Sequence, residues 1–361
     1  MQLSVLLPTH RHDLLACSRI VQACSWASAD VEVIIRDNSC NAQKRDMLAN
    51  IQRDNCSLIF ADECDALTNI SELLRAARGE FIFCLADDDY CVDRAVGAIA
   101  DTIKRLGKDA SLAGVTGHYG IETSNASAVV NYQNVDSDDA VTRIKGYLNF
   151  SGPNVLNYSA QRRDMVLRVF AFMRAMPDIF SFHDQIMCLL YLMNGKFVPI
   201  KRLIYLYDLG LWEQPESGQK RDLDFYKAAG LDPAINKLHW FLCGFEGAVL
   251  ARNSGLFPDL PIARRQAVAD LWSSLMFIRF TRQTRLTFGS PFAEAAEKIC
   301  AKLRDIKEPQ TFDTMLADIC SLIALFSKEK AQTYFEFWDA VVNKRNSAPG
   351  HAEYLAETRV A

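Results

Sequence analysis

Phe81-Ile82-Phe83-Cys84-Leu85-Ala86-Asp87-Asp88-Asp89 (FIFCLADDD) decides the fold. Its apolar run has no polar alternation and reads as a strand buried on both faces of a parallel sheet. Gly79 stands before it and stops a helix over Thr68–Arg78, whose Ile70, Leu73, Leu74 and Ala77 recur at helical spacing. Outward from this strand the same alternation repeats. Leu3–Leu7 (LSVLL) is a short buried run ending at Pro8, and Val31–Ile35 (VEVII) breaks into the polar tetrad Arg36-Asp37-Asn38-Ser39. Ser57–Phe60 supplies a third short strand. Between them the spacing predicts a helix capped by Asp13, with Cys17, Val21 and Cys24 as its core stripe, and another from about Ala42 to Arg53. A further helix follows over Asp93–Leu106. Strands alternating with helices imply right-handed βαβ units in an open, mostly parallel α/β sheet, whose ligands bind beyond the carboxyl ends of the strands. Asp37-Asn38-Ser39 and Asp87-Asp88-Asp89 both fall at such ends.

The aspartate triplet is the main chemical signal. It follows a buried strand directly, so its charges are held together at the sheet rim. Carboxylates within about 4–6 Å raise one another's pKa unless a cation neutralises them. Hard oxygen ligands suit Mg2+ or Mn2+, with a diphosphate completing the coordination. The same triplet also reads as a solvated acidic turn at the N-terminus of the helix Asp93–Leu106.

Three segments in order, SVLLPTH near the N-terminus, VEVIIRDNS and ARGEFIFCLADDDY, resemble the signature of family 2 glycosyltransferases with the GT-A fold. The resemblance covers about residues 1 to 210. It implies Pro8 and Thr9 beside a nucleotide, Asp37 on its base, Asp87 and Asp88 near ribose and diphosphate, and Asp89, with Asp87, as ligand of Mn2+ or Mg2+. Arg36 stands where the family commonly has another acid. An inverting transfer also needs a group that takes the proton of the acceptor hydroxyl. Phe182-His183-Asp184-Gln185 opens a helix carrying Ile186, Leu189, Leu190 and Met193 and ending at Asn194-Gly195, followed by a strand over Lys196–Ile200. This resembles the family's acidic pair, with Asp184 matching the general base and His183 where an acid is common. Read without the resemblance, Asp184 is a helix N-cap.

Several stretches carry less. Gly114–Tyr119 suggests a strand, Ser124–Asp139 reads as a polar loop, and Ser151-Gly152-Pro153-Asn154 as a turn. Glu213–Lys220 reads as a joint between a domain over 1–212, GT-A-type (Rossmann-like) with flanking helices, and an all-α C-terminal domain over 213–361. The latter carries helices from Asp232-Pro233 through about Ala251, from Pro261 to Phe280, from Ser290-Pro291, and over Phe312–Phe326 and Glu329–Asn343; the tail Ser347–Ala361 reads as frayed. Trp240, Phe241, Trp272, Phe277, Phe280, Tyr334, Phe335, Phe337 and Trp338 sit in it at the spacing of a helical core. The alternative is an exposed face, flanked by Arg264, Arg265, Arg279, Arg282 and Arg285, for a second subunit, a lipid-linked acceptor or a membrane surface.

The 361 residues are 50% apolar and 23% charged, which excludes disorder and collagen as the main state. Forty Lys+Arg against 44 Asp+Glu leave a net charge of -4, so no overall basic field draws the chain to nucleic acid. The eleven cysteines show no C-x-x-C spacing and lie in apolar patterns, which fits a reducing compartment. The longest apolar stretches fall short of the ~20 residues a spanning helix needs. The reading is therefore a cytoplasmic protein, with peripheral contact at the inner face of the membrane through its helical domain. Its expected reaction, in polysaccharide biosynthesis, is inverting, metal-dependent transfer of a sugar from a nucleotide-sugar donor, UDP-sugar favoured. The acceptor is a hydroxyl of a glycan, lipid-linked glycan or protein, and a homodimer is an expected assembly. A non-catalytic GT-A-like binding scaffold and a sugar nucleotidyltransferase remain as alternatives; the second usually carries a Gly-rich N-terminal loop that LPTHRH lacks.

Overall fold

The computed structural model describes residues 1–49, 51, 53–87, 89–123, 127–149, 155–177, 183–208, 220, 223–224, 226–227, 229–253, 256–257, 259–282, 290–305 and 311–343. Asp88, the turn 151–154, the joint 213–219, Phe182, Arg285 and the tail 347–361 lie outside them. By their contacts the described residues form two units, one within 1–169 and 194–213, the other within 170–193 and 214–356. The helix bearing His183 and Asp184 thus groups with the second unit.

The first unit is built on β1 (Leu3–Thr9), β2 (Val31–Asp37), β3 (Cys56–Phe60), β4 (Phe81–Cys84), β5 (Tyr90–Cys91), β6 (Leu112–Glu122), β7 (Ser127–Val130), β8 (Ala160–Arg162) and β9 (Lys196–Asp208). Its helices are α1 (Leu14–Cys24), α2 (Ala42–Leu48), α3 (Ala66–Ala76), α4 (Asp93–Leu106) and α5 (Ala140–Leu148). Among the described residues one mixed sheet runs β3-β2-β1-β4-β8-β6-β9-β5, with β7 beside β6. β3, β2, β1 and β4 are parallel neighbours; β8 runs against both β4 and β6, and β9 runs parallel to β6. The apolar runs become the core as expected: Leu3, Val5, Val33, Ile35, Phe81 and Phe83 are fully buried. Asp13, Asn41, Asp65 and Asp139 cap α1, α2, α3 and α5 by accepting a backbone N–H of the first turn.

Differences from the sequence reading have local causes. In α1 the core face is Ala16, Cys17, Ile20, Ala23 and Cys24, while Val21 is 52% exposed. α2 ends at Leu48, well short of Arg53. Part of the expected loop 124–139 is β7, an antiparallel edge strand whose Ser127, Ala128 and Val129 are exposed and so lack a periodic apolar signal. β9 continues past Ile200 to Asp208, because pairing with β6 supplies its ladder despite the polar Lys201 and Arg202. β8 and α6 (Arg163–Ala175) form where the sequence offered no distinct pattern. A polar latch ties the lower edge together: Glu32 accepts from the Ser4 hydroxyl, the Arg78 guanidinium and the backbone N–H of Arg78 and Gly79. A Cβ on Gly79 would lie 2.6 Å from the Ser4 backbone nitrogen, so only glycine admits this approach.

The second unit holds α7 (His183–Asn194), α8 (His239–Asn253), α9 (Ile262–Arg282), α10 (Ala293–Arg304), α11 (Phe312–Phe326) and α12 (Lys328–Asn343). Pro233–Leu238 is 3-10 helix rather than the first turns of α8, with Asp232 capping it. Trp272, Phe280, Tyr334 and Trp338 are fully buried and Phe241 and Phe337 nearly so, whereas Phe335 is 42% exposed. α8 and α9 pack closely at Gly247, where a Cβ would run into the Trp272 indole; that indole N–H donates to the Cys243 carbonyl at 2.8 Å. Arg279 lies over the Trp240 ring at 4.9 Å and donates to Gln185 Oε1 at 3.3 Å, so it is engaged within the helical unit. Among the described residues no helix is long and apolar enough to cross a membrane.

Candidate active site

The register of the central strands places the acids. β1 and β2 align Thr9 with Asp37, so the ends of both strands stand side by side. The ladder of β1 with β4 closes at Leu6 and Cys84, which brings the chain after β4 back beside Thr9. There the Thr9 hydroxyl donates to Asp87 Oδ2 at 2.7 Å, and the backbone N–H of Arg11 reaches the same oxygen at 3.3 Å. Three of the sequence-predicted residues, Thr9, Asp37 and Asp87, thus come together, 1%, 2% and 6% exposed. Pro8 directly precedes them on β1.

The group that joins them is Lys44, which sequence reasoning missed. Asn41 caps α2 by accepting the Lys44 backbone N–H, and the first turn then points the side chain inward. Its Nζ donates to Asp37 Oδ1 at 2.9 Å and to Thr9 Oγ1 at 2.8 Å. The result is a continuous chain, Asp37–Lys44–Thr9–Asp87. A buried charge is costly without a partner, and one ammonium here serves one carboxylate directly and a second through a polarised hydroxyl. Asp37 Oδ1 also accepts the Ser39 N–H at 3.1 Å. Each acid therefore spends one oxygen on the protein. Asp37 Oδ2 and Asp87 Oδ1 accept no hydrogen bond among the described residues. A signal did exist: Lys44 and Leu48 are one helical turn apart and are the buried residues of α2, so a lysine occupies a core-facing position.

Asp89, 5% exposed, is held separately. β5 pairs with β9 through Tyr90 with Leu206 and Cys91 with Tyr205, which draws Asp89 to the Tyr205 hydroxyl, its donor at 2.8 Å. The Tyr205 ring is fully buried and stacks on Tyr158 with centroids 4.3 Å apart. Burial, then Tyr158 and the Asp89 charge, pushes its hydroxyl well above the usual tyrosine range, so it stays a neutral donor. Asp87 and Asp89 offer hard oxygen atoms of the type Mg2+ and Mn2+ take. Among the described residues no group of three His, Cys, Asp or Glu side chains converges as a metal cage.

Arg36, the departure from the acidic pattern, turns away to donate to Asn69 Oδ1 at 2.8 Å on α3, while Asn38 donates to the Cys64 carbonyl at 2.7 Å. These bonds brace the loop after β2 and leave Asp37 as the acid of that strand end. His183 and Asp184 open α7 in the second unit. Asp184 is exposed and accepts the backbone N–H of Gln185 at 2.9 Å; His183 is half-buried. The neighbouring Cys243 thiol is pushed far up, first by burial and then by Glu246 and Asp184.

Residues 4–162 match the family model described as glycosyl transferase family 2. Among solved structures the chain is similar to TarS 1-349 of S. aureus, with 13% identity and a TM-score of 0.51, over 100% of this chain and 92% of that one. The same TarS fragment in complex with UDP-GlcNAc is similar at 14% identity and TM-score 0.52, over 95% and 91%. Its complex with UDP gives 13% and 0.50, over 100% and 92%. At these identities the likeness is one of fold. No curated protein matches the sequence.

Proposed function

Because residues 4–162 match the family model described as glycosyl transferase family 2, we propose that this chain is such an enzyme and transfers a sugar from a UDP-sugar, with inversion at the anomeric carbon, to a hydroxyl of a glycan, lipid-linked glycan or protein. The observation that carries this reading is the pair of buried acids at the ends of β2 and β4, joined through Lys44 and Thr9, each keeping one carboxylate oxygen without a partner among the described residues. Asp37 Oδ2 accepts an N–H of the base, and Asp87 Oδ1 a ribose hydroxyl, with Pro8 and Thr9 beside them. The UDP-GlcNAc and UDP complexes of TarS support a uridine donor. The resemblance assigns Asp88, which is outside the described residues, to the ribose and diphosphate as well.

Asp89 and Asp87 are the residues that would hold Mn2+ or Mg2+, which supplies charge neutralisation of the diphosphate when bound. Tyr205 orients Asp89 for that task. The acceptor oxygen attacks the anomeric carbon, the bond to the diphosphate oxygen breaks, and the nucleoside diphosphate leaves with that electron pair. The acceptor proton passes to Asp184, an exposed carboxylate in the first turn of its helix, with His183 beside it. The helical second unit then serves acceptor binding, membrane-surface contact or dimer formation.

Calorimetric titration with UDP, GDP, CDP and TDP, with and without Mn2+, on wild type and Asp89→Ala tests the reading. UDP binding that needs both Mn2+ and Asp89 is the expected result. Absence of binding to every nucleoside diphosphate would refute it and leave a GT-A-shaped scaffold.

A further inference from the structure

Lys44 is a fully buried ammonium whose Nζ donates to Asp37 Oδ1 and to Thr9 Oγ1, both in the cluster at the ends of β1 and β2. Three features make it more than a structural counter-ion. Its bond goes to one defined oxygen, Asp37 Oδ1, which the Ser39 N–H also takes. The carboxylate is thereby fixed in rotation, with Oδ2 as its remaining acceptor. Paired with the ammonium at 2.9 Å, the carboxylate serves as an acceptor of hydrogen bonds and donates none. The other groups around the pair leave this balance in place: Thr9 is neutral, Asp87 is reached only through the Thr9 hydroxyl, and Cys17 on α1, with Asp13 near it, is a thiol pushed up by burial.

We infer that Lys44 is a positioning residue that sets base specificity, by holding Asp37 as an acceptor whose Oδ2 selects bases presenting a ring N–H at the pairing edge. Uracil, thymine and guanine carry such an N–H. Cytosine and adenine present a bare ring nitrogen at the corresponding atom, and its lone pair meets a carboxylate that has no proton to give. The inference rests on the nucleotide-site reading above and goes one step further, from where the base binds to which bases are admitted. Without the ammonium, Asp37 is a buried carboxylate with its ion pair removed. It loses the bond that fixes its rotation, Oδ2 is no longer held toward the base, and discrimination against a bare ring nitrogen falls.

The test is the ratio of UDP to CDP affinity, measured by calorimetry in Mn2+ on the full chain. Wild type is expected to favour UDP. Lys44→Met is expected to lower that ratio by about tenfold or more, as follows from losing one charge-assisted contact, and Lys44→Arg to restore most of it. A merely structural role for Lys44 would weaken both nucleotides alike and leave the ratio unchanged, and that result overturns the inference. If Lys44→Met does not fold, as removal of one partner of a buried pair allows, the comparison moves to Asp37→Asn against Asp37→Asn/Lys44→Met, the second of which removes both charges of the pair. Equal ratios in those two variants support Lys44 acting through Asp37; a further change in the double variant overturns it. Failure of wild type to bind any nucleoside diphosphate is a separate outcome that removes the nucleotide site and this inference together.

Discussion

Tyr205→Phe deletes a single oxygen at the point where β9 meets the aspartate motif. The ring is fully buried and stacked at 4.3 Å on Tyr158, so phenylalanine keeps the packing and the variant reports on the hydroxyl alone. That hydroxyl donates to Asp89 Oδ2 at 2.8 Å and accepts a long 3.4 Å bond from the Ala86 N–H. The second bond is weak at that length. A hydrogen bond to a charged group is worth about 1.5–3 kcal/mol net, and at a 5%-exposed carboxylate little water is available to replace it. Taking about 2 kcal/mol, the Mn2+-dependent affinity for UDP is expected to fall roughly 30-fold. Affinity measured without metal is expected to change much less, because the lost bond orients the proposed metal ligand and touches neither Asp37 nor Asp87. Calorimetric titration of UDP at saturating and zero Mn2+, with a thermal melt to verify folding, reads both numbers. A folded Tyr205→Phe protein with wild-type affinity in Mn2+ would refute the argument that this hydroxyl positions Asp89.

Glu32→Gln is expected to cost about 1–2 kcal/mol of stability at pH 7, since the amide keeps an acceptor oxygen but loses the charge assistance. Burial alone raises the Glu32 carboxyl, but the Ser4 hydroxyl and the Arg78 amide and guanidinium outweigh it and hold the native pKa below the ordinary 4.5. The stabilisation is therefore full above about pH 4.5 and lost as pH falls through the lower native value; denaturant melts at pH 7 and pH 3.5 should show the gap between wild type and variant closing, and a constant gap would disprove the assignment. Gly247→Ala should destabilise the helical unit by about 1–3 kcal/mol by overpacking the Trp272 indole, visible in thermal unfolding, and an unchanged melt would show that the α8–α9 contact yields freely. Asp184→Ala is expected to retain UDP binding and lose transfer; turnover at the wild-type rate would remove Asp184 as the base.

Much of this was legible in one dimension because the decisive patterns are local. Buried strands that follow one another through short helices leave unbroken apolar runs, so LSVLL, VEVII and FIFCL could be read directly, and the acids after them had to stand at the carboxyl edge of the sheet. The C-terminal helices were readable for the same reason, with aromatic residues at helical spacing that fill a core. β7, β8 and the far half of β9 were not readable, because their residues are exposed, few or polar, and they are strands only by virtue of a partner distant in the chain.

The division is sharpest within the site. Sequence alone determined the chemistry at hand: which strand ends carry carboxylates, and that Asp37, Asp87 and Asp89 belong to one edge. Only the tertiary structure decided their state. Lys44 lies seven residues after Asp37 and 35 after Thr9, and Tyr205 lies 116 after Asp89, yet each is within 2.9 Å of its acid or hydroxyl. No periodicity encodes such meetings. They follow from parallel register, which aligns Thr9 with Asp37, and from the β5–β9 pairing, which carries Asp89 to Tyr205. The charge, orientation and open oxygen of a buried acid are set by its neighbours in space, and the order of residues along the chain specifies those neighbours only after the sheet has formed.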